Sequence, residues 1–375
     1  MKIAIDISQI VYEGSGVARY VKNMVEILLR YDQKNEYVFF FSSLRGKLNR
    51  QIETAIKNKH TLKKYLLPPI LLDLLWNRLH IFPIDHLIGK VDLIITSDWT
   101  EPPSRAKKIT VIHDLVFLKF SETLPQKIID VQKRRLQWVK KESALIIADS
   151  QSTKKDLTDL LNISQEKIEV VYPAVIHPRG GSSLTSQNYQ TVLKKYQLTK
   201  PFILTVGKRE PRKNLKRLMS AFLRSGLHDV DLVVVSSKGW KESEIDLDSS
   251  KYNAVKFLGF VPDHELYSLY QSALFFVFPS LYEGFGYPIV EAMQLGCPVA
   301  TSNTSSLREI AQGNALLFDP HNEDAICQSL IKLSTDTSLR EELKNKGLKR
   351  ASDFSKEKFA AQLLSIFEKV YENRS

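Results

Sequence analysis

Short, nearly continuous apolar runs recur along this chain and alternate with segments of helical period. Before residue 180 they are Lys2–Ile7, Val38–Ser42, Val91–Thr96, Ile109–His113, Ala144–Asp149 and Ile168–Tyr172. After it they are Phe202–Val206, Asp231–Ser236, Ala254–Leu258, Leu274–Phe278, Pro298–Thr301 and Ala315–Phe318. A strand with one wet face alternates apolar and polar residues, whereas unbroken runs belong to strands buried on both faces. Between the runs, apolar residues recur at helical spacing, as Val17, Tyr20, Val21, Met24, Ile27 and Leu28 do. Alternation of this kind predicts an α/β fold with parallel sheets covered by helices. Twelve strands are many for one such sheet. The expected fold is therefore two doubly wound parallel-sheet (Rossmann-like) domains facing across a cleft. The boundary falls in Pro173–Lys200, which holds Pro173, Pro178, Gly180, Gly181 and a polar stretch. We expect a first domain at 1–180, a linker at 181–200, a second domain at 201–354 and a C-terminal segment at 355–375. The last is a helix over Ser355–Glu372 with Phe359, Leu363, Leu364, Phe367 and Val370 for packing.

Composition narrows the class. At 375 residues, 43% hydrophobic and 25% charged, the chain has enough apolar material for two cores, which excludes a disordered or disulfide-stapled protein. Cys297 and Cys327 are the only cysteines, too few for a four-cysteine metal site. Asp6 interrupts the first apolar run early, so a secretory signal is not expected and the protein reads as cytoplasmic. The net charge of +11 concentrates before residue 180, most densely in Arg45, Lys47, Arg50, Lys57, Lys59, Lys63 and Lys64 against the single acid Glu53. Tyr65–Trp76 follows, apolar but broken by Pro68, Pro69 and Asp73. It is too short to span a bilayer. Residues 45–76 read either as a solvated helix with a core segment or as a face lying on an anionic membrane surface. Nucleic acid is not an expected partner, since no aromatic platform or recognised fold accompanies the charge.

In open parallel sheets ligands meet the carboxyl ends of the strands, so chemistry is sought in the loops that follow them. Gly14-Ser15-Gly16 opens the first helix and admits close approach to backbone N–H groups. His113-Asp114 ends the run Ile109–Ile112, where a histidine can bond a sugar hydroxyl or stabilise charge. Gly207 through Asn214 carries Lys208, Arg209, Arg212 and Lys213 before a helix for which Asn214 is a suitable N-cap. Fixed positive charge at a helix N-terminus is a complete site for a diphosphate. The loop does not match a Walker P-loop, which disfavours ATP hydrolysis. Pro279–Met293 contains Glu283, Gly284, Phe285, Gly286, Pro288 and Glu291. Pro288 suits the first turn of a helix and Gly296 its end, placing Glu283 in a glycine-rich loop and Glu291 about one turn into the helix. Two carboxylates so placed can accept hydrogen bonds from different hydroxyls of one ligand. In Ser302–Glu309, Ser306 and Glu309 have capping-box spacing, while Thr304 and Ser305 stand equally well to face a phosphate. Asp246-Leu247-Asp248 has the spacing of a metal box but lies far from these motifs, and no function is assigned to it.

These stretches resemble family 4 of the retaining glycosyltransferases, of GT-B fold, over nearly the whole chain. Val111–Leu115, Ala148-Asp149-Ser150 and Lys167–Pro173 look like the same family. Glu210-Pro211-Arg212-Lys213-Asn214 and Ser302–Glu309 most resemble the bacterial mannosyl- and rhamnosyltransferases of surface polysaccharides. The resemblance implies that Glu291 holds the nucleotide ribose and that Glu283 lies near the donor sugar. It implies that Lys213, with Lys208 or Arg209, neutralises the diphosphate, and that His113 contacts the transferred sugar. Gly14 and Gly16 match the glycine loop near the diphosphate and acceptor. Phe260 and Val261 fall in the segment whose backbone reads the base. The last helix is expected to cross back to the first domain.

The implied reaction moves a hexose, most simply mannose from GDP-mannose, to a saccharide or lipid-linked saccharide with retention and without a metal or other cofactor. dTDP-rhamnose and UDP-sugars are the next donors. A nucleotide-sugar epimerase of the same architecture, a non-catalytic subunit and a polyanion-binding scaffold are the rival readings. Intact Glu283, Glu291, Lys213 and His113 argue against the second of these.

Overall fold

A computed structural model describes residues 1–12, 14–176, 186–236 and 253–373. The Asp246-Leu247-Asp248 box and Gly180-Gly181 lie outside the described residues. The chain divides into two compact units. One comprises Met1–Ser121, Pro125–Ile176 and Ser355–Ser375; the other comprises Glu122–Leu124 and His177–Phe354.

The first unit is built on a seven-stranded sheet of order β3-β2-β1-β4-β5-β6-β7. Its strands are β1 (Lys2–Asp6), β2 (Glu36–Ser42), β3 (Thr61–Tyr65), β4 (Leu93–Ser97), β5 (Lys107–Ile112), β6 (Ser143–Ala148) and β7 (Ile168–Val170). Every pairing is parallel. Successive residues feed opposite faces. Ile3, Ile5, Phe39, Phe41, Leu93 and Ile95 enter the core that also takes the helix Gly16–Tyr31. Ala4, Val38, Phe40 and Ile94 enter a second core with Leu72, Trp76, Ile84 and Ile88. Both faces are covered, which is why these strands read as unbroken apolar runs. The final helix, Lys356–Glu372, packs Phe359, Leu363, Phe367 and Val370 into the first of these cores.

The second unit carries six parallel strands in the order β10-β9-β8-β11-β12-β13. These are β8 (Phe202–Val206), β9 (Asp231–Val235), β10 (Val255–Gly259), β11 (Phe275–Phe278), β12 (Val299–Ser302) and β13 (Leu316–Phe318). A helix over Ser186–Lys195 stands where a linker was expected. Its sequence is polar, yet polar bonds dock it on the helix Asp263–Ser272: Tyr189 Oη donates to Gln271 at 2.8 Å and Lys195 pairs with Glu265 at 2.6 Å.

All twelve expected strands are present, and the structure adds β3, inside the basic stretch. Lys63 and Lys64 are exposed on it, as lysines on a sheet edge commonly are to block further pairing. The segment Tyr65–Trp76 divides: Trp76 and Leu72 are core, whereas Leu66, Ile70 and Leu74 are 75%, 70% and 42% exposed. No helix among the described residues is long and apolar enough to cross a membrane.

Candidate active site

In each sheet the strand order reverses once, between β1 and β4 in the first unit and between β8 and β11 in the second. At such a switch point the flanking loops diverge and leave a crevice at the carboxyl edge. In the second unit those loops are Gly207–Asn214, after β8, and Pro279–Gly286, after β11.

They are locked together by charge. Lys213 Nζ meets Glu283 Oε1 at 2.5 Å, and Arg212 Nη1 meets Glu283 Oε2 at 3.0 Å. Arg212 also donates to Tyr282 O at 2.7 Å and pairs with Glu210 at 3.0 Å. Ser280 Oγ donates to Glu283 at 2.6 Å. Burial alone would raise the Glu283 carboxyl, but Arg212 and Lys213 more than offset it and hold it down to about 2. Burial and the neighbouring Arg212 push Lys213 below the usual lysine range, with Glu283 opposing them. With its folded pKa depressed, the Glu283 carboxylate stabilises the fold above its unfolded value near 4.5, and that stabilisation is lost as pH falls towards about 2. Acid titration of Glu283→Gln, followed by circular dichroism, is expected to show less loss of stability between those values than wild type.

Asn214 occupies the cap position of the helix Leu215–Arg224, but its side chain does not cap. Its Nδ2 donates to Pro279 O at 3.2 Å and Pro320 O at 2.8 Å, tying the basic loop to two neighbours. Its left-handed backbone (φ 59°) turns the side chain away from the helix's own amides. Arg209, with Glu210, Lys216, Arg217, Ser220 and Glu323, lines a 440 Å³ groove along that helix, and Lys208 is half-buried at the loop's start.

The expected capping box is absent. Ser306 Oγ donates to Glu283 O and Phe285 O, both at 2.9 Å, instead of capping. The hydroxyls of Thr304 and Ser305 are likewise engaged: Thr304 donates to Leu281 O at 3.2 Å, and Ser305 Oγ accepts from Glu283 N at 3.0 Å. These three residues therefore shape the glycine-rich loop, and what they offer an anion is the amide edge of the helix Ser305–Ala311. Phe285 is also redefined. Its ring is buried against Tyr287 and Phe354, so any ligand contact comes from its backbone. Gly284 sits beside it, and Gly286 adopts φ 105° to start the helix Tyr287–Gln294, with Pro288 in its first turn. Glu291, one turn along, is 4% exposed and accepts from Tyr270 Oη at 3.3 Å. At the end of β10, the Phe260 ring is 73% exposed and Val261 is buried.

In the first unit, Ser15 caps the helix that Gly16 begins, and Gly14 takes φ 75° in open space. His113, just beyond β5, is engaged at both nitrogens: Nδ1 lies 2.8 Å from Asp149 Oδ2 and Nε2 lies 2.9 Å from Ser97 Oγ. Ser97 and Asp149 were not singled out as site residues, although their positions at the carboxyl ends of β4 and β6 are a usable signal. Among the described residues no group of three His, Cys, Asp or Glu side chains forms a metal-holding cluster.

Two doubly wound α/β units, one with a cationic loop clasping a buried acid at its switch point, define a ligand-binding class of α/β architecture. Comparison with known proteins agrees. Residues 190–350 match the family model "Glycosyl transferases group 1" and residues 14–177 match "Glycosyltransferase Family 4". The O-antigen chain mannosyltransferase B of Escherichia coli is 30% identical over 277 residues, 71% of each chain. The serotype-specific mannosyltransferase WbdA of the same organism is 29% identical over 66% of this chain but only 32% of its own length. A sucrose-phosphate synthase from Thermosynechococcus elongatus superposes with a TM-score of 0.74 at 18% identity, covering 99% of both chains. Anabaena HepE in complex with UDP and glucose superposes at 0.70 and 17% identity, covering 98% of this chain and all of that one. The chain belongs to the family 4 glycosyltransferases, with the GT-B fold.

Proposed function

We propose that this glycosyltransferase moves mannose from GDP-mannose to a saccharide or lipid-linked saccharide, with retention and without a metal, in surface polysaccharide assembly. The observation that carries the reading is the Arg212–Glu283–Lys213 cluster at the β8/β11 switch point, with Glu291 buried one turn into the next helix. Relatives named as O-antigen mannosyltransferases support the sugar and the process.

In this reading the acceptor oxygen bonds to the anomeric carbon on the face that the diphosphate leaves. The C–O bond to the diphosphate breaks, its electron pair stays on the leaving oxygen, and the acceptor proton passes to that diphosphate. Lys213, aided by Lys208 or Arg209 and by helix amides, stabilises the new charge in place of a cation. Glu291 accepts from the ribose hydroxyls, Glu283 stands by the sugar, and the exposed Phe260 ring and neighbouring backbone meet the base. A thermal-shift panel of GDP, UDP, dTDP and ADP, run in EDTA, tests this: a ligand that binds the folded state raises its apparent stability. GDP is expected to give the largest shift, and Glu291→Gln to lose most of it. A larger shift with dTDP or UDP reassigns the donor; no shift with any nucleotide removes the reading.

The acceptor side is proposed to work at the inner face of a membrane. Seven of the fourteen exposed large hydrophobic side chains among the described residues fall within 44–82: Leu44, Leu66, Ile70, Leu74, Leu79, Ile81 and Phe82. The same stretch carries Arg45, Lys47, Arg50, Lys59 and Lys63, while its one acid before residue 70, Glu53, is taken up by Lys57 and Lys64. Exposed apolar side chains and cations carried by one stretch of chain suit an anionic bilayer. Flotation with phosphatidylglycerol vesicles is expected to carry the protein upward, and the Leu66→Asp, Ile70→Asp double variant to remain at the bottom. Equal flotation of both refutes this surface.

A further inference from the structure

Ser97, His113 and Asp149 form a row across the carboxyl edge of three neighbouring strands, β4, β5 and β6. The row is hydrogen-bonded end to end, at 2.9 Å and 2.8 Å. It is also enclosed. Ser97 is 1% exposed, and the side chains of His113 and Asp149 are 14% and 4% exposed. Tyr20, from the helix Gly16–Tyr31, lays its ring edge-on to the imidazole at 4.8 Å. Asp149 directly precedes Ser150, whose hydroxyl caps the helix Gln151–Leu161, and Thr153 from that helix donates to His113 O at 3.3 Å. Both ends of the row are thus fixed to regular structure.

Carboxylate, imidazole and hydroxyl in this order also describe a nucleophilic triad. Burial excludes that use here, because a 1%-exposed Ser97 Oγ is closed to a substrate carbon. A carboxylate can only accept, so Asp149 requires the proton on Nδ1 and fixes the tautomer. Nε2 then faces Ser97 Oγ, and the ring cannot turn over without losing both bonds.

We propose that Asp149 and Ser97 are the positioning residues of His113, holding its imidazole in one tautomer and one orientation at the carboxyl edge of β5. This rests on the proposed glycosyl transfer, together with the contact to the transferred sugar that the family resemblance implies for His113, and revises how that contact is made. With both nitrogens engaged, His113 acts on a sugar as a fixed ring bearing charge. The charged groups around the ring act in one direction. Burial by itself would lower the imidazole's pKa, but Asp149, with Asp98 after β4 and Asp114 after β5, more than offsets it and raises it above the ordinary 6.5. A raised folded pKa means that the cation is present at low pH and is lost as pH rises through that value.

The test is an NMR titration of His113, assigned by loss of its signal in His113→Gln, in wild type, Asp149→Asn and Ser97→Ala, beside kcat/KM against pH. Wild-type His113 is expected to titrate above 6.5. In Asp149→Asn it is expected to drop by about one to three pH units, the usual effect of an adjacent opposite charge. The alkaline limb of the rate profile should move down with it. Ser97→Ala is expected to lower kcat with the limb almost in place. A wild-type His113 titrating at or below 6.5 overturns the proposal without recourse to a variant, as does an unmoved titration in folded Asp149→Asn. If the titration moves and the rate profile does not, the positioning row stands and the role of His113 at the sugar falls.

Discussion

Lys213→Ala is expected to lower kcat by about 10²–10³-fold, the usual effect of removing one preorganised group that stabilises transition-state charge, while donor affinity falls far less. The argument is geometric. Lys213 Nζ is held by Glu283 at 2.5 Å and lies 5.1 Å over the Phe278 ring. Its charge is therefore already placed and partly desolvated, which is the condition under which it acts more on a developing charge than on a resting one. Arg212 remains beside Glu283 at 3.0 Å in the variant, so the acid is not left alone and the fold is expected to survive. Steady-state kinetics with calorimetry of the nucleotide checks this. Equal losses in kcat and donor affinity make Lys213 a ground-state anchor instead.

Gly286→Ala is expected to be the most damaging single methyl in the second unit. Gly286 has φ 105°, which L side chains rarely adopt, and a Cβ there would stand 2.7 Å from Leu307 Cδ2. Leu307 is fully buried, so it has no free space to yield. Backbone strain of about 1–3 kcal/mol adds to overpacking of about 1–3 kcal/mol. Gly313→Ala is the control: φ is also positive, 78°, but nothing lies within 4 Å. Thermal melts are expected to rank Gly286→Ala well below Gly313→Ala, and nucleotide binding should weaken only in the former, because Gly286 sets the path from Glu283 to Glu291. Equal melting temperatures would show that the 283–291 segment tolerates the shift.

Much of this was readable beforehand. The strands could be found because both faces of each sheet are covered, so Ile3-Ala4-Ile5 and Phe39-Phe40-Phe41 have no polar positions to break the run. β3 could not be found that way: it is an edge strand with Lys63 and Lys64 exposed, and the basic stretch that holds it reads as a solvated helix. Glycines and clustered cations marked the two loops of the second unit. Hydroxyl roles were not readable. Ser306 looks like a cap by spacing and Thr304 and Ser305 look placed for a phosphate, yet their partners are Glu283, Leu281 and Phe285, more than twenty residues away.

Alone, then, the order of residues dictates all the strands but β3 and which loops carry cations and acids, since those follow from local period and side-chain chemistry, while the family is implied by the resemblance of its motifs. Only the folded chain decides that Glu283 is clasped by Arg212 and Lys213, that Phe285 turns inward, and that His113 stands between Ser97 and Asp149. Each of those is a meeting of residues brought together by parallel crossovers. The partner is chosen by the packing of whole elements, and no spacing along the chain encodes it.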